Sequence, residues 1–195
     1  ALRAIENAGI EPDRIELILV ATSSPDSMFP NTASLVQKNI AAHNAACFDI
    51  SAACTGFLVA LDTAHAFIKS GIYKNALVIG AEVMSKTIDW SDRSTCVLFG
   101  DGAGAAIVEA GSVGIEDMVM HSDGGGGNVL TAGSRSPQNF LINENEKTEQ
   151  YSWLKMDGQE VFMFAVRKVP ECIAEVLERN SLKVDDVDHF ILHQA

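Results

Sequence analysis

Short apolar runs alternate along the chain with segments whose apolar residues recur at helical spacing. The runs at residues 16–21, 46–51 and 76–81 are mainly apolar and do not alternate strictly with polar residues, which is typical of strands buried on both faces of a parallel sheet. The strongest helical segment, residues 54–70, is followed by Gly71, a residue common just after a helix. This alternation predicts an α/β fold.

Further elements follow from the same signals. Gly9 ends a first helix, Asn31 or Thr32 caps another, and Asp157 caps a third with Glu160 at capping-box spacing. Pro170 predicts a kink or break in that third helix. The remaining predicted elements are helices over 2–8 and 31–42, strands over 103–109, 113–121 and 188–192, and an irregular stretch over 122–150.

We predict two halves, residues 1–113 and 114–195, with a division near a Gly-containing turn. Both ends of the chain fall within the pattern of a regular element, so we expect a piece of a larger protein. Neither a signal peptide nor an apolar run of transmembrane length is apparent in the sequence.

Composition narrows the possible partners. Lys and Arg number 14 against 26 Asp and Glu, a formal net charge of −12, which argues against a nucleic-acid partner because phosphate binding needs a basic surface. Hydrophobic residues make up 47% and charged residues 21%, ordinary values for a globular protein. Four cysteines without a CxxC pair predict free thiols in a reducing compartment, and neither a disulfide framework nor a metal site.

The clearest chemical feature is the segment D-I-S-A-A-C-T-G-F at residues 49–57. A strand leads through small residues to Cys54 and then to a helix, the pattern of a nucleophile elbow. The helix dipole there favours the reactive thiolate, and first-turn N–H groups are free to bind an oxyanion. Gly56 admits close approach of another backbone. The alternative is that Cys54 is a small buried residue, as we interpret Cys47, Cys96 and Cys172.

A cysteine nucleophile usually works with a nearby histidine. His193 is the best candidate because it follows a predicted buried strand, where α/β proteins place their sites, and His121 is a second candidate. Gly100, Gly102 and Gly104 lack the strand, glycine loop and helix order of a nucleotide-binding fingerprint. We interpret these glycines as positions of close backbone packing beside a site.

These residues together resemble one family. The segments that carry the resemblance, in family order, are S-A-A-C-T-G-F around Cys54, S-D-R-S-T at 91–95, F-G-D-G-A-G-A at 99–105, M-D-G-Q-E-V-F at 156–162 and H-Q-A at 193–195. They are similar to 3-oxoacyl-[acyl-carrier-protein] synthase III. The resemblance implies a thiolase-like layered α-β-α-β-α fold, with most of the N-terminal half and the beginning of the C-terminal half in this chain.

The resemblance also implies a reaction. Cys54 would take an acyl group from acyl-CoA, and a decarboxylative Claisen condensation with malonyl-acyl-carrier-protein would give 3-oxoacyl-acyl-carrier-protein. His193 would stabilise the enolate, while Phe29 would shape the acyl pocket across the dimer interface and Arg93 would contact the CoA nucleotide. Gly158 and Phe162 would line the pantetheine tunnel. No cofactor is implied; the implied setting is a cytoplasmic homodimer with no nucleic-acid or membrane partner.

Two alternatives stay open. The family's third catalytic residue is an Asn downstream of the H-Q-A motif, beyond the residues of this chain. One alternative is therefore a non-catalytic or truncated thiolase-fold fragment that needs a second chain. The other is a different thiolase-fold synthase, for example of polyketide type.

Overall fold

The computed structural model describes residues 1–133 and 153–194. The chain divides into two compact units. The first comprises Ala1–Met84 and Gly100–Glu116, and the second Ser85–Phe99 and Asp117–Ala195. The predicted halves, 1–113 and 114–195, stay a prediction.

The described residues form four α-helices and six β-strands. The helices are α1 (Leu2–Ala8), α2 (Thr32–Ile40), α3 (Gly56–Lys69) and α4 (Gly158–Arg179). The strands are β1 (Leu17–Ala21), β2 (Ala46–Ile50), β3 (Asn75–Val83), β4 (Asp101–Glu109), β5 (Leu130–Thr131) and β6 (Lys155–Met156). The helices and the first four strands confirm the elements predicted at these places.

The first unit is built on a four-stranded sheet of order β2-β1-β3-β4. Strand β1 pairs in parallel with both β2 and β3, with Leu17 opposite Ala46 and Ile18 opposite Leu77. Strand β4 runs antiparallel to β3. Because β1, β2 and β3 are parallel, their carboxyl ends lie side by side at the same end of the sheet.

Strand β1 lies at the centre of this unit and is buried throughout. Ile18 and Val20 pack on one face of the sheet in a cluster that includes residues of α1 and α2. Leu17 and Leu19 pack on the other face, where Ala60 of α3 covers them. Helices on both faces explain why the strand is continuously apolar rather than alternating.

Helix ends follow the predicted capping signals. Gly9 ends α1 in the left-handed region, with φ of 62°. Asn31 caps α2 by accepting a hydrogen bond from the Ser34 N–H, and Asp157 caps α4 by accepting from the Gln159 and Glu160 N–H groups.

Two predicted strands and the alternative of a helix break are wrong. Helix α4 continues through Pro170 without a break, and the alternative of a kink there stays a prediction. Residues 113–121 and 188–192 are not strands, and neither segment has a strand partner within residues 1–133 and 153–194. Val113 is 90% exposed and Ile191 96% exposed, so the apolar character that suggested strands is not matched by burial in a sheet.

The second unit includes α4 and the antiparallel pair β5–β6, with Leu130 opposite Met156. Asp117 accepts hydrogen bonds from Arg179 and Asn180 at the end of α4. Of the predicted irregular stretch 122–150, the described part contains a short 3₁₀ turn and β5, and residues 134–150 lie outside the described residues. No helix in the described ranges has the length and apolarity needed to cross a bilayer.

Burial on both faces makes β1 the most sensitive element of the first unit. Replacing the fully buried Leu19 with Ala should lower the free energy of unfolding by about 2–5 kcal/mol, because lost apolar burial adds to the cost of a cavity. Urea denaturation followed by circular dichroism measures the change. Leu2→Ala is the matched control, since Leu2 is 67% exposed, and an equal effect at both positions would contradict this description of the core.

Candidate active site

Cys54 lies in a tight connection between β2 and α3. Strand β2 ends at Ile50, the 3₁₀ turn Ala53–Thr55 contains Cys54, and α3 begins at Gly56. The helix therefore starts two residues later than predicted, and Cys54 occupies the turn that leads into it. This is the strand, turn and helix order of a nucleophile elbow.

The backbone beside Cys54 is strained. Ala53 has φ of 46°, in the left-handed region that side chains with a Cβ rarely adopt. Such conformations cost of order 1–3 kcal/mol and cluster at functional sites, where surrounding structure holds them in place. The strain supports a functional interpretation of this turn, and the sequence contained no signal for it.

Gly56 allows α3 to approach β1 closely. A Cβ placed on Gly56 would lie 3.1 Å from the Cβ of Ala21, which is tighter than most Cβ contacts. Gly56 itself has ordinary right-handed helical dihedrals, so its small size rather than its flexibility is what the position requires. The close approach expected at Gly56 is confirmed, although the nearest atom belongs to the Ala21 side chain rather than to a backbone.

The four cysteines differ in exposure. Cys54 is exposed, whereas Cys47, Cys96 and Cys172 are half-buried, and all four are free. Burial raises the pKa of the Cys47 thiol, so less of it is thiolate at a given pH. The alternative interpretation of Cys54 as a small buried residue is therefore wrong.

The loop after β1 begins at the same end of the sheet as the Cys54 turn, where the parallel strands finish. The Thr22 N–H donates to the carbonyl of Ile50 at 3.0 Å, which joins the start of this loop to the end of β2. Phe29 lies in the loop and is 86% exposed, beside Met28 at 83%. The ring of Phe29 is therefore not part of the hydrophobic core of the first unit.

Asp49, in the same segment as Cys54, is a structural residue that the sequence analysis missed. Its two carboxylate oxygens accept hydrogen bonds from the N–H groups of Thr32 and Ala33, at 2.8 and 2.7 Å. The carboxylate thus lies at the start of α2, where free N–H groups and the helix dipole favour a negative charge. Asp49 ties β2, immediately before the cysteine turn, to the end of the loop that carries Phe29.

In the second unit, Arg93 is the central residue of the second of two consecutive hydrogen-bonded turns. Asp89 accepts from the hydroxyl and N–H of Ser91 at 2.6 and 2.9 Å, and Asp92 accepts from the same groups of Ser94 at 2.6 and 2.9 Å. The serine side chains hold the pKa values of both carboxyls below their usual range. The turns constrain this segment, and Arg93 within it is exposed.

The other predicted site residues also lie in the second unit. Gly158 is the first residue of α4, and Phe162, four residues further on, is 63% exposed. His193 is exposed and lies outside regular structure. The second histidine candidate, His121, contacts Glu175 through its Nε2 at 2.6 Å.

The predicted site residues are therefore divided between the units. The first unit contains Cys54 and Phe29, and the second contains Arg93, Gly158, Phe162 and His193. Within residues 1–133 and 153–194, no group of three or more His, Cys, Asp or Glu side chains is placed to hold a metal ion.

The prediction of close packing at Gly100, Gly102 and Gly104 is wrong within the part of the chain that the structure describes. A Cβ placed on Gly100, Gly102 or Gly104 would meet nothing within 4 Å. Gly102 and Gly104 lie in the exposed first half of β4, the strand at one edge of the sheet. A short side chain at these positions has room.

The difference in exposure predicts which thiol reacts first. Iodoacetamide near neutral pH should alkylate Cys54 several times faster than Cys47, since alkylation needs an accessible thiolate and burial disfavours it at Cys47. Peptide mapping by mass spectrometry locates the label, and Cys54→Ser should remove the fastest-labelled site. Equal labelling rates at Cys47 and Cys54 would contradict this arrangement.

Comparison with known proteins agrees with the resemblance seen in the motifs. Residues 48–124 match the profile of the family described as 3-Oxoacyl-[acyl-carrier-protein (ACP)] synthase III. The chain is 50% identical to a β-ketoacyl-[acyl-carrier-protein] synthase III of Clostridium acetobutylicum, over 100% of this chain and 60% of that protein. It is 48% identical to the protein of the same name in Microcystis aeruginosa, over 100% of the chain and 59% of the relative.

Solved structures support the same assignment. The crystal structure of 3-oxoacyl-[acyl-carrier-protein] synthase III from Aquifex aeolicus matches with a TM-score of 0.83 and 43% identity, over 96% of this chain and 56% of that one. A priming β-ketosynthase of a polyketide pathway matches with a TM-score of 0.85 and 38% identity, over 95% and 55%. The chain thus spans about three fifths of the length of these proteins. The predicted thiolase-like α/β fold is confirmed, and so is the predicted similarity of the whole chain to the 3-oxoacyl-[acyl-carrier-protein] synthase III family.

Proposed function

We propose that the protein to which this chain belongs is a condensing enzyme that starts fatty-acid synthesis. It transfers an acyl group from acyl-CoA to Cys54 and condenses it with malonyl-acyl-carrier-protein. The observation that carries the proposal is the exposed Cys54 in a strained turn before α3, within the segment that matches the family profile.

The first step is acyl transfer. The Cys54 thiolate attacks the thioester carbonyl of acyl-CoA, the C–S bond to CoA breaks, and CoA leaves as a thiolate that takes up a proton. Negative charge develops on the carbonyl oxygen during the attack. N–H groups at the start of a helix have no partner within the helix, so those following Cys54 are suited to stabilise that charge.

The second step is decarboxylative condensation. Malonyl-acyl-carrier-protein loses CO₂, and the resulting enolate carbon attacks the acyl carbonyl on Cys54. The C–S bond to Cys54 breaks, which releases 3-oxoacyl-acyl-carrier-protein and restores the thiolate. His193 would donate a hydrogen bond to the malonyl thioester oxygen, where the enolate charge develops. In the family an Asn downstream of the H-Q-A motif completes this set.

The remaining site residues are assigned to substrate binding. Arg93 is proposed to contact the CoA nucleotide, since an exposed guanidinium on a constrained segment suits a phosphate. Phe29 is proposed to shape the acyl pocket, and Gly158 and Phe162 to line the pantetheine channel. With a net charge of −12, docking of an acidic carrier protein would depend on a local basic patch.

We place the enzyme in the cytoplasm as a homodimer, with acyl-CoA and the acyl carrier protein as its partners. The chemistry needs no cofactor, because the substrates themselves supply the thioesters and the leaving CO₂. No role with nucleic acid or a membrane is proposed.

A polyketide-type synthase is the second candidate. The similarity to a priming β-ketosynthase, with a TM-score of 0.85, favours it over other reactions of the same fold. It would use the same Cys54 acylation and differ in the carrier protein that supplies the malonyl group. A non-catalytic fragment is the third alternative, and it predicts no acylation at all.

The acylation proposal has a direct test in the full-length gene product. Incubation with radiolabelled acetyl-CoA should transfer label to the peptide that contains Cys54, and Cys54→Ala should abolish the transfer, since no thiol remains to attack. His193→Ala should retain the label but slow release of 3-oxoacyl-acyl-carrier-protein by about 100-fold or more, the usual loss for an oxyanion donor.

Three outcomes separate the alternatives. Label retained in Cys54→Ala would overturn the assignment of the nucleophile. Wild type that takes no label would favour the non-catalytic fragment. Acylated wild type that transfers only to a polyketide carrier protein, and not to the fatty-acid carrier, would favour the second candidate.

The role of Arg93 predicts a change in binding. Arg93→Ala should raise KM for acyl-CoA about tenfold with little change in kcat, because loss of a charge-assisted hydrogen bond to phosphate is worth about 1.5 kcal/mol. Steady-state kinetics at low and high salt measure the effect, which should shrink as salt screens the charge. Arg3→Ala in α1 is the matched control, and an unchanged KM in Arg93→Ala would contradict the role.

A further inference from the structure

Glu82, near the end of β3, holds the start of the loop after β1 with both of its carboxylate oxygens. The Ser23 N–H donates to Glu82 Oε1 at 2.8 Å, and the Ser24 hydroxyl donates to Glu82 Oε2. The Ser24 oxygen in turn accepts from the Val83 N–H at 2.7 Å. These three hydrogen bonds, here called the Glu82 clamp, join the first residues of the loop to β3.

The far end of the same loop is held by a second carboxylate, that of Asp49 in β2. Asp49 accepts from the N–H groups of Thr32 and Ala33, as described above. Between these anchors, the Ser27 hydroxyl donates to the carbonyl of Pro30 at 3.0 Å, across the exposed pair Met28 and Phe29. The loop is therefore fixed at both ends and braced at its tip.

The clamped end of the loop lies next to the Cys54 turn. Thr22 is buried and bonds to Ile50, the last residue of β2 before that turn. Ala21, one residue earlier, is the neighbour that a side chain on Gly56 would meet. A shift at Ser23 or Ser24 would therefore be transmitted along the loop towards Phe29.

We propose that Glu82 is a positioning residue that sets the acyl-chain preference of Cys54 acylation, by holding the loop that carries Phe29. This inference rests on the proposed function. Glu82 acts through the loop and makes no contact with substrate in this role. A loop tip that presents an exposed aromatic ring can discriminate between acyl chains only if the loop is held in a fixed position. The Glu82 clamp holds it in that way.

The chemistry of the clamp identifies the informative variants. A carboxylate offers only acceptors, and both partners on the loop are donors. Glu82→Gln keeps one acceptor oxygen but places an NH₂ group opposite a donor. Ser24→Ala removes one hydroxyl, whereas Ser24→Thr retains it and serves as the conservative variant. Glu6→Gln in α1 is the matched control, since Glu6 is exposed.

The experiment measures Cys54 acylation in the full-length gene product with straight and branched acyl-CoAs of two to eight carbons. In Glu82→Gln and Ser24→Ala the ratio of kcat/KM between short and long chains should change about tenfold, the discrimination that one methylene provides in an apolar pocket. The change should lie mainly in KM. Amide hydrogen exchange at Ser23 and Val83 should accelerate, while Ser24→Thr and Glu6→Gln retain the wild-type ratio.

Each outcome bears on the inference. A chain-length ratio that stays at the wild-type value in Glu82→Gln and Ser24→Ala, in an acylated and folded enzyme, would overturn the role of Glu82 and leave the proposed function intact. Equal loss of activity with every acyl-CoA would also overturn it, because that is the result of a merely structural defect. Wild type that accepts no acyl group would overturn the proposed function and this role together.

Discussion

The close contact between Gly56 and Ala21 is the constraint on which the arrangement of the first unit depends. Helix α3 lies against the centre of the sheet because its first residue has no side chain, and Cys54 precedes that residue by two positions. The approach leaves the chain a single tight turn in which to pass from β2 to α3. The positive φ of Ala53 lies in that turn, so strain beside the nucleophile accompanies close packing in the core.

In the first unit, the residues that form the hydrophobic core and the residues proposed to do chemistry lie at different positions along the strands. The middle of β1 is apolar and covered on both faces, whereas the carboxyl ends of β1, β2 and β3 lead into the polar anchors and the cysteine turn. Parallel strands bring these ends together without any local sequence signal. A rigid, apolar centre of this kind fixes the positions of the residues at the carboxyl ends of the strands.

The spacing of apolar residues predicted correctly the strands of the four-stranded sheet and the helices that pack on it. It succeeded for β1 and α3, whose apolar spacing reflects burial, and for caps such as Asn31 that act within one turn. It failed at residues 113–121 and 188–192, because an apolar run does not specify a strand partner. The anchors were missed for a related reason: Asp49 and Glu82 bond to residues 16 and 59 positions away in the sequence.

The exposure of Cys54 has a consequence for how the protein survives in the cell. An accessible thiol in a turn before a helix is open to peroxide as well as to thioesters, and its oxidation to the sulfinic state is generally not reversed. The half-buried cysteines are less open to the same attack. Oxidative damage would thus fall first on Cys54, the residue proposed as the nucleophile, and only later on the half-buried cysteines.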